Sequence, residues 1–263
     1  MRPDLGVPAR EERSAGAEPA VSLAFAPGDV VVVTGAGSGI GRATARGAAQ
    51  VGLAVAAWDL NRDSVHSVVD EITAAGGRAV ACVADVTDDA AVDAALDRSE
   101  TLGPIRFLVN NAGPANGSDL PFDVALVAAV GSMRRVTEAW LARPRPEGCA
   151  VVNLASVAGT TIGATPDWYP AAKAAVLGWT RYLATHRAGE VRANAVAPGL
   201  ITTPRTADLA ASGLGQRIQQ RIPLGRSGRP EEVAWVILFL LSPLAAYVNG
   251  SLVVVDGGWT IAQ

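Results

Sequence analysis

The chain has 263 residues, a net charge of −3 and 49% apolar residues. That length suits one large α/β domain or two small ones, with enough apolar side chains for a sizeable core. The slightly acidic balance has no lysine- or arginine-rich tract to hold nucleic acid or an anionic membrane surface, and no apolar run reaches the roughly 18 residues of a membrane helix.

Met1–Ala20 mixes Pro, Gly, Ala, Arg and Glu without periodicity and lacks the apolar stretch of a signal peptide. Asp4, Glu11, Glu12 and Glu18 among the arginines argue against a transit peptide. Residues 1–25 therefore read as a flexible N-terminal tail, and 26–263 as one folded domain. Val30–Thr34 is a β-branched run, the first strand, and Ile40–Val51 the first helix. Leu53–Trp58 is the second strand, followed by a helix over Arg62–Ala75 that Gly76-Gly77 stops. Strands over Ala79–Ala84, Ile105–Asn110, Cys149–Leu154, Arg192–Ala197 and Leu252–Val255 follow in turn. Between them run helices over Asp88–Glu100, Pro121–Ala142 and Pro170–His186. Val236–Leu241 is apolar but short, which suits a buried helix. This alternation predicts a single doubly wound, Rossmann-like α/β domain: a seven-stranded, mostly parallel sheet with helices on both faces. Cys82 and Cys149 fall in or beside strands and read as small buried hydrophobes of a reducing, cytoplasmic compartment.

The first strand runs into Thr34-Gly35-Ala36-Gly37-Ser38-Gly39-Ile40-Gly41. Glycines between a strand and a helix let the backbone turn tightly and let a pyrophosphate approach the helix N-terminus. Asp59, with Leu60 beside it, ends the second strand about 20 residues further on, where an acid accepts hydrogen bonds from ribose hydroxyls and repels a 2′-phosphate. No base stands at Ser38 or directly after Asp59, so NAD is favoured over NADP; Arg42 and Arg62 are the residues that could spoil this. Asp85-Val86 and Asn110-Asn111-Ala112-Gly113 follow the third and fourth strands, at the carboxyl edge where such sheets bind ligands.

Lys173 is the single lysine among 22 basic Lys and Arg residues, four positions after Tyr169. Residues four apart share a helix face. An ammonium there favours the phenolate, which makes the phenol a usable proton donor and acceptor near neutral pH. Taken alone, Tyr-x-x-x-Lys is equally an ordinary surface pair.

With these segments in this order, the chain from about Asp29 to Gly258 resembles the short-chain dehydrogenase/reductase family. The resemblance rests on Thr34–Gly41, Asp85, Asn110–Gly113, Ser156, Tyr169 with Lys173, Asn194–Gly199 and Val255–Gly258. It implies that Tyr169 exchanges a proton with the substrate oxygen, that Ser156 hydrogen-bonds the same oxygen, and that Lys173 tunes Tyr169 and holds the nicotinamide ribose. It also implies that Gly35, Ser38, Gly39, Ile40 and Gly41 shape the pyrophosphate turn, with Asp85 and Val86 flanking the adenine. Asn111, Ala112 and Gly113 would pass beneath the ribose, while Pro198, Gly199, Ile201 and Thr203 line the nicotinamide side. The expected activity is NAD(H)-dependent interconversion of a secondary alcohol and a ketone, by a homodimer or homotetramer. Two alternatives stand beside it: a nucleotide-binding protein with little turnover, and an NADP-linked 3-oxoacyl reductase.

The chain also departs from the family pattern. By alignment to Val136-Thr137, Ala129 falls where many relatives carry a relay asparagine, and the segment after Gly113 looks short. Arg134 and Arg135 are either intersubunit contacts or a solvated face. His66 is expected to be exposed, and His186 to suit the C-terminal end of its helix. Neither has metal-ligand company, and no metal is expected. Trp168 reads as a pocket wall or as core, and Trp235 as plain packing. Thr203–Gly215 stands where the family has a mobile lid, with Arg205 as a candidate for an anionic group.

Overall fold

A computed structural model describes residues 22–114 and 118–262. Seven strands form one sheet: β1 (Val30–Thr34), β2 (Ala54–Asp59), β3 (Ala79–Val83), β4 (Ile105–Asn110), β5 (Ala150–Leu154), β6 (Arg192–Pro198) and β7 (Leu252–Val255). Their order is β3-β2-β1-β4-β5-β6-β7, and every pairing is parallel. The order reverses between β1 and β4, the switch point at which open parallel sheets bind ligands beyond the strand ends.

Each strand feeds two cores because alternate side chains leave opposite faces. Val31 and Val33 join the side chains of α1 (Gly39–Gln50), α2 (Arg62–Ala74) and α9 (Pro230–Leu241). Val30 and Val32 join those of α3 (Asp89–Glu100), α5 (Ser132–Leu141) and α6 (Trp168–His186). A strand buried on both sides must be apolar throughout, which is why β1 is legible as an unbroken valine run.

A buried polar seam runs under the switch point. The Asn110 amide donates to Thr137 Oγ1 and to Asn153 Oδ1, both at 2.9 Å, and Asn153 donates to Thr180 Oγ1 at 3.0 Å. It ties β4 and β5 to α5 and α6 and so positions the site's carboxyl-edge loops.

Several expectations are corrected. The helix expected over Pro121–Ala142 is three pieces: α4 (Phe122–Leu126), a π-helical turn (Val127–Gly131) and α5. Within it the Ser132 N–H reaches the Val127 carbonyl, five residues back, and the Ser132 hydroxyl donates to the Ala128 carbonyl at 2.6 Å. The segment from Thr203 forms α7 (Ala207–Ala211) and α8 (Gly213–Arg221). Trp235 is not plain packing: it is 45% exposed and Phe239 40%, on the side of α9 away from the core. Of the expected tail, residues 1–21 lie outside the described residues, while Phe25 packs edge-on to Phe107 with ring centroids 5.3 Å apart. No described helix is long and apolar enough to cross a membrane, and no described group of three or more His, Cys, Asp or Glu side chains could hold a metal.

Candidate active site

A cleft of about 480 Å³ opens at the carboxyl edge of the sheet across the switch point. Every residue singled out from the sequence for catalysis or cofactor binding lines it, except Gly41. The cleft thus gathers Gly35, Ser38, Gly39 and Ile40; Asp59 and Leu60; Asp85 and Val86; and Asn111, Ala112 and Gly113. Ser156, Tyr169 and Lys173 join them, with Pro198, Gly199, Ile201 and Thr203. Gly41 acts from behind. A Cβ there would fall 2.0 Å from the Gly35 carbonyl, so the glycine lets α1 pack onto the turn and does not face the cleft.

The turn suits a diphosphate. Gly35 and Gly39 have φ of +66° and +52°, a region that side chains disfavour. The cap residue Ser38 makes no side-chain capping bond, and the first turn of α1 carries no acid. Its N–H groups and the positive end of its dipole therefore face the cleft without a protein anion. The Asn111 amide pins the neighbouring loop by donating to the Thr34 and Gly35 carbonyls at 3.0 and 3.1 Å.

Asp59 is held in place: Oδ2 accepts from Gly37 N–H at 2.8 Å and Oδ1 from Asn61 N–H at 2.9 Å. Arg42 is engaged with Glu71 and Ser67. Arg62 is exposed at the start of α2. Asp85 accepts from the Thr87 hydroxyl and N–H at 2.7 and 2.8 Å, and these bonds hold its carboxyl below the usual range.

Ser156 is buried in an extended conformation just past β5, where its Oγ accepts from Ala158 N–H at 3.2 Å. That bond leaves the hydroxyl proton free to donate. Asp167 caps α6, so Tyr169 stands in its first turn and not ahead of it. Lys173 Nζ lies 5.8 Å from the Tyr169 ring centroid and donates to the Leu154 carbonyl at 2.8 Å. Burial, then the like charge of Arg205, brings the Lys173 pKa down to about 8. The turn Val157–Gly159 presses against α6, since a Cβ on Gly159 would lie 2.5 Å from the Lys173 carbonyl carbon.

Ala128 lines the cleft, whereas Ala129 is buried against Ala125, Trp168 and Ala172. Residues 115–117 of the segment after Gly113 lie outside the described residues. Trp168 is core, 2% exposed, and packs edge-on to Tyr169 at 5.7 Å. His66 is exposed, and His186 ends α6 beside the Tyr182 ring, 5.0 Å away. Arg134 is exposed, and Arg135 pairs with Asp89. The cleft also takes in Trp58, Thr87, Pro114, Ala128 and Leu154, which the sequence reading did not single out. Trp58 and Leu154 stand at the carboxyl ends of β2 and β5, and Thr87 and Pro114 four residues past β3 and β4, the one signal that could have found them.

Residues 35–260 match a family model described as enoyl-(acyl carrier protein) reductase. Cyclohexanol dehydrogenase of Acinetobacter sp. (strain SE19) is 39% identical over 244 residues, covering 88% of this chain and 94% of that protein. The 3-oxoacyl-[acyl-carrier-protein] reductase of Thermotoga maritima is 37% identical, covering 89% of this chain and 98% of that protein. Among solved structures, a 7α-hydroxysteroid dehydrogenase complexed with NADH and 7-oxo glycochenodeoxycholic acid superposes with a TM-score of 0.83 at 32% identity, covering 88% and 94% of the two chains.

Proposed function

This chain belongs to the short-chain dehydrogenase/reductase family, and we propose that it is an NAD(H)-dependent oxidoreductase interconverting a secondary alcohol and a ketone. The observation that carries the reading is the meeting of Ser156, Tyr169 and Lys173 with the uncapped glycine turn in one cleft. The nicotinamide supplies the hydride chemistry, and the protein has to orient one carbon and manage one proton. Tyr169 exchanges that proton at the substrate oxygen. The free Ser156 hydroxyl proton holds the same oxygen in place. Lys173 keeps positive charge beside the phenol, stabilising negative charge on it, and offers its remaining N–H donors to a ribose. Gly35–Gly41 and the start of α1 take the pyrophosphate, and Asp59 the adenosine ribose.

The choice of NAD is supported by the Asp59 carboxylate held at the end of β2, an anion that would repel a 2′-phosphate, and by the engagement of Arg42 with Glu71. An NADP-linked 3-oxoacyl reductase is the second reading, favoured by the similarity to the Thermotoga protein. A small-molecule substrate and a homo-oligomer, dimer or tetramer, complete the proposal. The exposed Trp235, Phe239 and Tyr247 support association. Buried free cysteines suit a cytoplasmic setting.

The test is a fluorescence titration with NADH and NADPH, followed by turnover on secondary alcohols and a 3-oxoacyl thioester. Tighter NADPH binding would overturn the Asp59 argument. Binding without turnover on any substrate would leave a nucleotide-binding protein. Tyr169→Phe should abolish turnover and leave NADH affinity nearly intact; substantial residual turnover would remove Tyr169 from the proton transfer.

A further inference from the structure

Two cationic side chains line the cleft, Lys173 and Arg205. Lys173 is anchored on the Leu154 carbonyl, but Arg205 has no ion-pair or hydrogen-bond partner among the described residues. The two acids of the cleft are committed elsewhere, Asp59 to the N–H groups of Gly37 and Asn61, and Asp85 to Thr87. Arg205 is nonetheless carried on a fixed frame. It sits in the short turn Pro204–Thr206, behind a strand bridge between Ile201 and Gly228. Thr203 N–H donates to Thr206 Oγ1 across the base of that turn at 3.0 Å.

Of the charged groups, Arg205 is the one that bears on Lys173, and it is like in sign. Arg205, Lys173 and Tyr169 line the same cleft. A guanidinium left without a partner in a concave site offers a planar fork of donors matched to a carboxylate. We propose that Arg205 receives an anionic group of the substrate, so that the molecule turned over is a hydroxy acid or its oxo acid. This rests on the dehydrogenase reading above. An anion beside Arg205 also relieves its repulsion of the Lys173 ammonium, so acid binding and proton retention on Lys173 reinforce each other.

The cofactor pyrophosphate is the other anion within the cleft's reach, since Arg205 lies two residues beyond Thr203. Calorimetric titration separates the two. The probes are 4-hydroxycyclohexanecarboxylate, 3-hydroxybutyrate and mandelate, each beside its primary amide, on free and NADH-saturated protein. At least one acid should bind about tenfold more tightly than its amide. Arg205→Ala should erase that preference and Arg205→Lys keep part of it, with the NADH Kd changed by less than about twofold in both. The proposal is overturned if no acid is preferred, if the preference survives in Arg205→Ala, or if Arg205→Ala weakens NADH by a similar factor. If NADH fails to bind wild type, the dehydrogenase reading falls, and the acid-against-amide comparison on free protein still decides the role of Arg205.

Discussion

Replacing Lys173 by Met should stabilise the cofactor-free protein. Burial and Arg205 lower the lysine pKa from 10.5 to about 8, so folding works against the charged form. At about 1.4 kcal/mol per pH unit, that gap amounts to at most about 3 kcal/mol. Because the folded pKa lies below the unfolded one, the penalty is complete below about pH 8 and fades as pH rises toward 10.5. Methionine removes the charge and nearly keeps the volume, but it leaves the Leu154 carbonyl without its 2.8 Å donor. That loss costs about 1 kcal/mol. The variant should therefore be more stable by about 2 kcal/mol at pH 7, a rise in Tm of about 4–8 °C. Melts of both proteins between pH 6.5 and 10 read the effect, with the two curves converging at the alkaline end. A variant that melts below wild type at pH 7, or a difference that ignores pH, would refute the reasoning. The stability withheld by this lysine is what a site accepts to keep an ammonium beside a phenol.

Two further outcomes follow from close contacts. Gly159→Ala puts a Cβ 2.5 and 2.6 Å from the Lys173 and Ala174 backbone, so α6 must shift. Turnover should fall about 100-fold, with about 1–3 kcal/mol of destabilisation, read by kcat and melting; unchanged kcat would show that α6 is not positioned by this contact. Asn153→Ala removes one of the two acceptors of Asn110 Nδ2 and the donor to Thr180 Oγ1 in the buried seam, and should cost about 2 kcal/mol, measured by denaturant unfolding. A cost below about 0.5 kcal/mol would mean that the seam is energetically idle.

The strands were legible because a parallel sheet covered on both faces leaves no place for polar alternation, as in β1. The cleft was legible because its chemistry sits at strand ends, which the apolar runs locate. Other features need three dimensions. Gly41 was taken for a cleft residue because its spacing fits the glycine pattern, yet its requirement is the approach of α1 to the Gly35 carbonyl. Trp235 looked like packing because apolar residues surround it, and sequence cannot say which side of an apolar helix lacks a partner. The pairing of Arg205 with the Lys173 field joins residues 32 positions apart, too far for any local pattern.

The relay position shows how one residue of phase decides a wall. The π-helical turn Val127–Gly131 holds one residue more than a regular turn of 3.6. The extra residue moves the cleft-facing position from Ala129 to Ala128. A matched pair of substitutions tests this. Ala129→Leu drives three carbons into the packing of Ala125, Trp168 and Ala172. It should cost about 1–3 kcal/mol, or roughly 2–10 °C in Tm. Ala128→Leu places the same carbons in the cleft, so Tm should hold within about 2 °C. Ligand affinity should fall instead, since the added carbons would occupy the cleft that Ala128 lines. Melting curves and binding titrations on the two variants separate the effects. The reverse pattern, Ala128→Leu unstable and Ala129→Leu unable to bind, would put Ala129 and not Ala128 in the cleft.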